Sequence, residues 1–225
     1  MRTIHLAKTF STNTDARDQA EAGERGPLWI RADQQVSGRG RLTRRWVSDP
    51  GNLYCSALLP KPDGPASLAS FASAVAVHDA LCQWLRGDQV RLKWPNDVLV
   101  EGRKIAGILC ETVGDQVICG IGINIAHHPA ETRWPATHLQ AHTTATVDAV
   151  FSALQSAMTI VMACPPQDIF ERWQSVAHGL GGQVAVEESG RRFVGRFSRL
   201  GPNGELMLAT RSATMAVVAG DVTFL

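Results

Sequence analysis

The sequence predicts an α+β fold, a mixed and mostly antiparallel sheet with packed helices followed by a small β-barrel. Helical and strand periodicities are mixed along the first 180 residues, the apolar runs between residues 90 and 125 succeed one another at hairpin spacing, and after Gly181-Gly182 helical periodicity stops. A chain of 225 residues can close a sizeable core and carry an appendage, so the expected division is 1–180 and 181–225.

The elements follow in order. "STNTDARDQAEAG" opens on the N-cap residues Ser11 and Thr12, runs through helix formers and stops at Gly23, which predicts a short helix with backbone donors at its start. "PLWIRADQQV" and "NLYCSALLP" read as strands on either side of an Arg/Gly stretch. In "ASLASFASAVAVHDALCQWL", Leu68, Phe71, Val75 and Leu81 stand at helical spacing and Trp84 and Leu85 extend the stripe, predicting an amphipathic helix against a sheet. "VRLKWP", "DVLVE", "KIAGILCE" and "QVICGIGINI" form an antiparallel meander. Helices follow over "VDAVFSALQSAMTIVMA", ended by Pro165-Pro166, and "QDIFERWQSVAHG", ended at Gly179. The last fifth reads as four short strands, "QVAVEE", "RRFVGRFSRL", "ELMLAT" and "MAVVAGDVTFL", a piece too small to be stable without its neighbour.

Composition narrows the function. A chain 44% hydrophobic and 19% charged, with no apolar run long enough to cross a bilayer and no secretory leader in "MRTIHLAKTFSTNTDAR", points to the cytoplasm and to no membrane partner. Five cysteines without a CxxC pair suit reduced thiols. A net charge of +1 excludes broad electrostatic capture of nucleic acid, so positive charge that is local points to a small anionic partner.

That local charge is "SGRGRLTRRW", Ser37 to Trp46, with four arginines and no acid. Arginine forks fit carboxylates and phosphates, and Gly38 and Gly40 let the backbone approach a ligand, but the ten residues alone fit a solvated basic loop equally well. No GxxxxGK[ST] occurs, and "GRGRLT" and "GIGINI" lack the third glycine of a dinucleotide fingerprint. In "KWPNDVLVEGRKIAGIL", Asn96 and Asp97 follow a proline and by themselves read as turn residues, while Lys104 reads as an edge lysine or as the holder of a substrate carboxylate. "GIGIN" fits close backbone approach to a ligand or a tight strand end. His127, His128, His138 and His142 lie in a Pro- and Thr-rich stretch that reads as a connecting loop, so no protein-bound metal centre is predicted.

Taken in order, "STN" (11–13), "ADQQVSGRGR" (32–41), "KWPNDV" (93–98), "GRKIAGILCE" (102–111) and "GIGIN" (120–124) resemble the biotin protein ligase family, over nearly the whole chain. The resemblance implies a class II synthetase-like domain and an SH3-like barrel. It also implies a two-step reaction: biotin and ATP, with Mg²⁺, give biotinyl-5'-AMP, and the biotinyl group passes to a lysine of a biotin carboxyl carrier protein. It places Ser11, Thr12, Asn13 and Gln35 on the ureido ring, Gly38, Arg39, Gly40 and Arg41 over the biotin tail and phosphates, and Gly107 and Gly122 against biotin. Arg44, Arg45 and Trp46 are expected to reach ATP, Asn96 and Asn124 to place nucleotide and Mg²⁺, Lys104 to grip carboxylate and bridging phosphate, and Asp97 to assist transfer. Arg41, Lys104 and Asp97 are thus the expected catalytic residues. A homodimer is plausible on the same ground.

The chain departs from the family's pattern in Thr43, where glycine is common, in Phe10, where a polar group is common, and in ending "DVTFL" with no arginine there. Ser11 comes too early for the N-terminal DNA-binding domain of regulatory members, so the expectation is an enzyme without an operator role. The rival readings are a lipoate or octanoate ligase of the same fold, in which "GRGR" and "KWPND" are not expected, a non-catalytic biotin or carrier-binding module, and a nucleic-acid binder using the arginine loop.

Overall fold

A computed structural model describes residues 1–41, 44–132, 134–188 and 190–225. Seven strands form the first sheet: β1 (Arg2–Leu6), β2 (Leu28–Ala32), β3 (Leu53–Pro60), β4 (Val90–Lys93), β5 (Asp97–Val100), β6 (Arg103–Val113) and β7 (Gln116–Ile123). Their order is β1-β2-β3-β7-β6-β5-β4, with β1 parallel to β2 and every other pair antiparallel. The predicted meander is therefore present, whereas β1 went unread because "RTIHL" is short and only Thr3 and Ile4 of its five residues are strong strand formers.

Strand alternation sorts the sheet into two faces. On one, Leu28, Ile30, Leu58 and Ile118 pack against Ala16 and Ala20 of α1 (Thr12–Glu21). On the other, Trp29, Ala57, Leu59, Cys119, Ile121 and Ile123 join the main core beneath α2 (Leu68–Leu81), α3 (Val147–Met162) and α4 (Pro166–Ser175). The expected amphipathic stripe on α2 is corrected here: Ser73, Ala74, Ala76 and Val77 are as buried as Phe71 and Val75, because the helix lies between the sheet and the layer of α3 and α4. Trp84 and Leu85 fall beyond its end. The helix α4 also stops short of Gly179, since residues 176–178 leave it to pair with β4: Leu92 N donates to Val176 O (3.0 Å) and His178 N to Leu92 O (2.7 Å).

The second sheet comprises β8 (Gln183–Glu188), β9 (Arg191–Leu200), β10 (Leu206–Ala209), β11 (Thr214–Val217) and β12 (Asp221–Phe224), ordered β11-β10-β9-β8-β12 and antiparallel throughout. "MAVVAGDVTFL", read as one strand, is two, broken at Gly220 with φ +147°. The break has a topological effect. The segments β11 and β12 sit at opposite edges, yet four residue steps from Val217 to Asp221 span at most about 14 Å, less than the ~19 Å across a flat five-stranded sheet. The sheet must curl, as a small barrel does.

One continuous core joins the two sheets, with Val184, Val186, Phe197, Leu206, Leu208 and Val222 packed into the same cluster as α2 and β4. Buried Trp94 seals the junction, its Nε1 donating to Gly204 O at 2.9 Å. All five cysteines are free thiols. Among the described residues no helix is long and apolar enough to cross a membrane.

Candidate active site

On the α1 face, beyond the end of that helix, β6 and β7 place glycines where side chains would otherwise stand. Gly107 pairs with Gly122, and Leu109 with Gly120, while the intervening Ile121 and Ile123 point into the core. The period-2 pattern of "GIGIN" thus makes a floor that is bare on one side and anchored on the other. Above it opens a cavity of about 350 Å³.

One wall is the start of α1. Ser11, Thr12 and Asn13 are buried and line the cavity, as does Gln35. Ser11 occupies the N-cap position, but its side chain makes no capping bond; Gln35 caps instead, its Oε1 accepting from Thr12 N (2.9 Å) and Thr12 Oγ1 (3.1 Å) while Nε2 donates to Ser48 Oγ (2.9 Å). The helix-start donor expected to be open is therefore taken. Asn13 lies flat on Gly120, where an added Cβ would come within 2.1 Å of its Oδ1.

The arginine stretch folds back on itself as an irregular hairpin. Trp46 N donates to Gly38 O (2.9 Å), Gly40 N to Arg44 O (2.7 Å), and Arg39 faces Arg45 across an antiparallel bridge. Arg39, Gly40, Arg41, Arg44, Arg45 and Trp46 line the cavity; the departure noted at Thr43 lies outside the described residues. Gly38 is the exception among the predicted residues. It stands behind the wall, where a Cβ would meet Trp46 O and Ser48 Oγ at 2.5 Å, so close packing rather than mobility requires it. Likewise, what rests on Gly107 and Gly122 is the Trp46 indole, 2.9 and 2.5 Å from the Cβ atoms those glycines lack. Its buried Nε1 has no hydrogen-bond partner among the described residues.

The opposite wall comes from the β5–β6 hairpin. Lys104 Nζ contacts Asp97 Oδ1 at 2.5 Å and lies 5.4 Å from the Trp46 ring centroid. A register shift between Val98 and Leu99 sets the two strands so that Asp97 pairs with Gly107. Asn96 receives Arg41 Nη1 on its Oδ1 (3.1 Å) and spends Nδ2 on Ile108 O (2.6 Å). Asn124 is buried, donating Nδ2 to Thr137 O (3.0 Å). Burial lowers the Arg41 pKa, against the raising influence of Asp221 and Asp97; an arginine so placed keeps its charge.

Several contributors were not foreseen. Asp221 of β12 reaches across to Arg44 in an ion pair, so the second sheet supplies a carboxylate where a C-terminal arginine had been sought. The Lys93 ammonium lies 4.3 Å from the Trp134 ring centroid, a cation–π contact on a tryptophan to which no stacking role had been given. Ser56 and Glu111 hold Asn13 from behind. Glu111 and Lys93 carried a sequence signal, as the end of "GRKIAGILCE" and the start of "KWPNDV"; the others depend on long-range pairing. The histidines lie in the loop that closes the far side, with His128 Nδ1 and His138 Nδ1 2.8 Å apart. Among the described residues no group of His, Cys, Asp and Glu could hold a metal.

Among the described residues, six cationic ones (Arg39, Arg41, Arg44, Arg45, Lys93, Lys104) and three acidic ones (Asp97, Glu131, Asp221) line the cavity. The excess of positive charge in a cleft with a bare floor fits an anion that has a compact neutral portion.

Similarity to known proteins agrees with this geometry. The profile of the Biotin/lipoate A/B protein ligase family matches residues 8–124. The biotin--[acetyl-CoA-carboxylase] ligase of Paracoccus denitrificans is 33% identical over 97% of this chain and 99% of its own length. The enzyme of the same name from Mycobacterium tuberculosis is 30% identical over 98% and 88%. Among solved structures, the biotin protein ligase from Aquifex aeolicus in complex with biotin and ATP superposes with a TM-score of 0.84 at 25% identity, covering 99% of this chain and 97% of that one. The chain belongs to the biotin/lipoate A/B protein ligase family.

Proposed function

We propose that this chain is an ATP-dependent biotin protein ligase. In the first step an oxygen of the biotin carboxylate attacks the α-phosphorus of ATP; the bond to the β-phosphate breaks, and pyrophosphate leaves. In the second, the amine of a carrier-protein lysine attacks the acyl carbon, the acyl–oxygen bond breaks, AMP departs and the nitrogen loses a proton. Activation is needed because a carboxylate is a poor acyl donor, whereas the mixed anhydride carries AMP as a good leaving group.

The observation that carries this reading is that the arginine hairpin and Lys104 meet over one glycine floor, with Lys104 Nζ 5.4 Å from the Trp46 ring centroid. In the proposal, Ser11, Thr12, Asn13 and Gln35 hold the ureido ring, and Arg39 and Gly40 cover the tail. Arg41, Arg44, Arg45 and Trp46 engage the nucleotide, and Gly38 sets the hairpin's base. Gly107 and Gly122 seat the Trp46 indole beside the ligand. Lys104 holds charge at the carboxylate and bridging oxygen as it develops, and Asp97 balances Lys104 and then receives the incoming lysine. That lysine, with a reference pKa of ~10.4, is mostly protonated near neutrality, so its placement against a carboxylate matters.

Mg²⁺ belongs to the proposal as a passenger of the phosphates. Asp97 is already neutralised by Lys104 and Asp221 by Arg44, and Asn96 faces a guanidinium, so the protein offers little charge of its own to a divalent cation. The Asn124 amide is the neutral hard donor that the site would offer to its shell. A homodimer is proposed through β1, an outer edge of the large sheet, because the opposite edge at β4 is partly covered by residues 176–178; sedimentation before and after Thr3→Pro tests it, with dissociation expected.

Biotin-dependent exchange of labelled pyrophosphate into ATP tests the function. We expect exchange with biotin and none with lipoate; exchange driven by lipoate, or none with either, would overturn the assignment.

A further inference from the structure

Glu111 lies outside the cavity lining, yet it is the one charged group at the end of the hydrogen-bond chain that forms the α1 wall. Asn13 Nδ2 donates to Glu111 Oε2 (2.7 Å) and to Leu109 O (3.2 Å). Asn13 Oδ1 lies 2.6 Å from Ser56 Oγ, which is 2.8 Å from Thr12 Oγ1, which in turn is 3.1 Å from Gln35 Oε1. The Glu111 carboxylate also takes Arg39 of the hairpin (3.1 Å) and, at longer range, Arg17 of α1 (3.4 Å).

Proton counting fixes the Asn13 end of this chain, whose three oxygen–oxygen contacts share the two hydroxyl protons of Ser56 and Thr12. An ionised carboxylate has no proton to give, so the Asn13 atom against it must be Nδ2, and both protons of that amide are then spent on Glu111 and Leu109 O. The atom facing Ser56 is therefore Oδ1, an acceptor only, and the single proton of Ser56 goes to it. A flipped Asn13 would put an amide oxygen against a carboxylate and against a carbonyl, both without a donor between them, at a cost that a buried site does not tolerate. Asn13 Oδ1, the atom nearest Gly120 of the floor, keeps a second lone pair after accepting from Ser56, and in the proposal that lone pair takes a ring N–H.

We infer that Glu111 is a positioning residue whose carboxylate fixes the Asn13 amide orientation, and with it the selectivity of the site for a ligand ring bearing N–H donors, while its ion pair with Arg39 ties that wall to the arginine hairpin. The inference rests on the biotin-ligase reading above and names the specificity determinant of that site. A glutamine here removes the shorter and only charged of the two acceptors that fix the orientation, leaving Leu109 O alone to hold it, because its amide can donate to Asn13 Oδ1 as readily as it can accept.

The test is calorimetric binding of biotin and of biotin methylated on a ureido nitrogen, to wild type and to Glu111→Gln. Wild type is expected to reject the methylated form; in E111Q the affinity for biotin falls about tenfold and the ratio between the two ligands shrinks by a similar factor, with ATP affinity kept. An E111Q protein that retains both the affinity and the ratio overturns the inference, and so does an equal loss for both ligands. Failure of the underlying reading looks different: wild type then binds neither ligand. Should E111Q not fold, side-chain amide exchange in wild type decides. Both Asn13 NH₂ protons are expected to exchange slowly with solvent, and fast exchange of either contradicts the orientation.

Discussion

Gly120 shows how one residue can set the site. A methyl group there would overlap Asn13 Oδ1, and that amide cannot yield because Glu111, Leu109 and Ser56 hold it. For Gly120→Ala, we predict about a tenfold rise in KM for biotin with a much smaller effect on KM for ATP, read from exchange kinetics. Lys104→Ala should instead lower kcat for adenylate formation by roughly 10²-fold or more, since the ammonium acts on charge that develops during reaction. A third residue reports on stability. His78 is pushed up to about 9: burial lowers its pKa, but hydrogen bonds to Asp79 and Cys82 and the Asp79 charge outweigh that. With the folded pKa above the ordinary 6.5, its contribution is complete below pH 6.5 and is lost as pH rises through about 9. The melting temperature of wild type should therefore fall relative to His78→Asn across that window, by an amount corresponding to about 1–3 kcal/mol. At this scale the sequence was legible where a residue type has one physical use, as with the arginines and Lys104. It was not legible for Ser56, Ser48 and Asp221, ordinary polar residues whose importance comes only from what they face.

At the scale of elements, residues 38–41 and 44–46 are held by their own backbone bonds and by ion pairs to distant strands, Arg39 to Glu111 on β6 and Arg44 to Asp221 on β12. The second pair occupies the guanidinium proposed to meet the nucleotide. Asp221→Asn should lower KM for ATP about threefold at low ionic strength, an effect that shrinks as salt screens the competing carboxylate. A rise in KM would mean that Asp221 positions Arg44 rather than competing for it. Strand alternation and helix periodicity gave most elements their places. Periodicity missed the burial of α2 because "ASAVAV" is apolar or small all round, and it missed the end of α4 because only pairing with β4 draws residues 176–178 out of the helix.

For the molecule as a whole, the two sheets share a core, and the smaller one places Gly220, Asp221 and Val222 at the cavity. Trp94, next to the proline of "KWPND", ties them through its bond to Gly204 O. Trp94→Phe removes the donor and leaves a buried carbonyl unsatisfied, which should cost about 1–3 kcal/mol while keeping unfolding a single transition in calorimetry. Two separate transitions would show that the sheets unfold independently. The change to short strands after Gly182 was visible in the sequence; the crossing from β11 to β12 at opposite edges was not, because a break at Gly220 does not say which neighbour each half will find. The central claim is that Arg41 and Lys104 serve one reacting centre. A crystal structure grown with biotin and ATP tests it most directly: the account predicts both side chains on the biotinyl-phosphate linkage, beside the Trp46 indole that Gly107 and Gly122 seat, and it is contradicted if the ligand lies elsewhere or if either side chain turns away from that linkage.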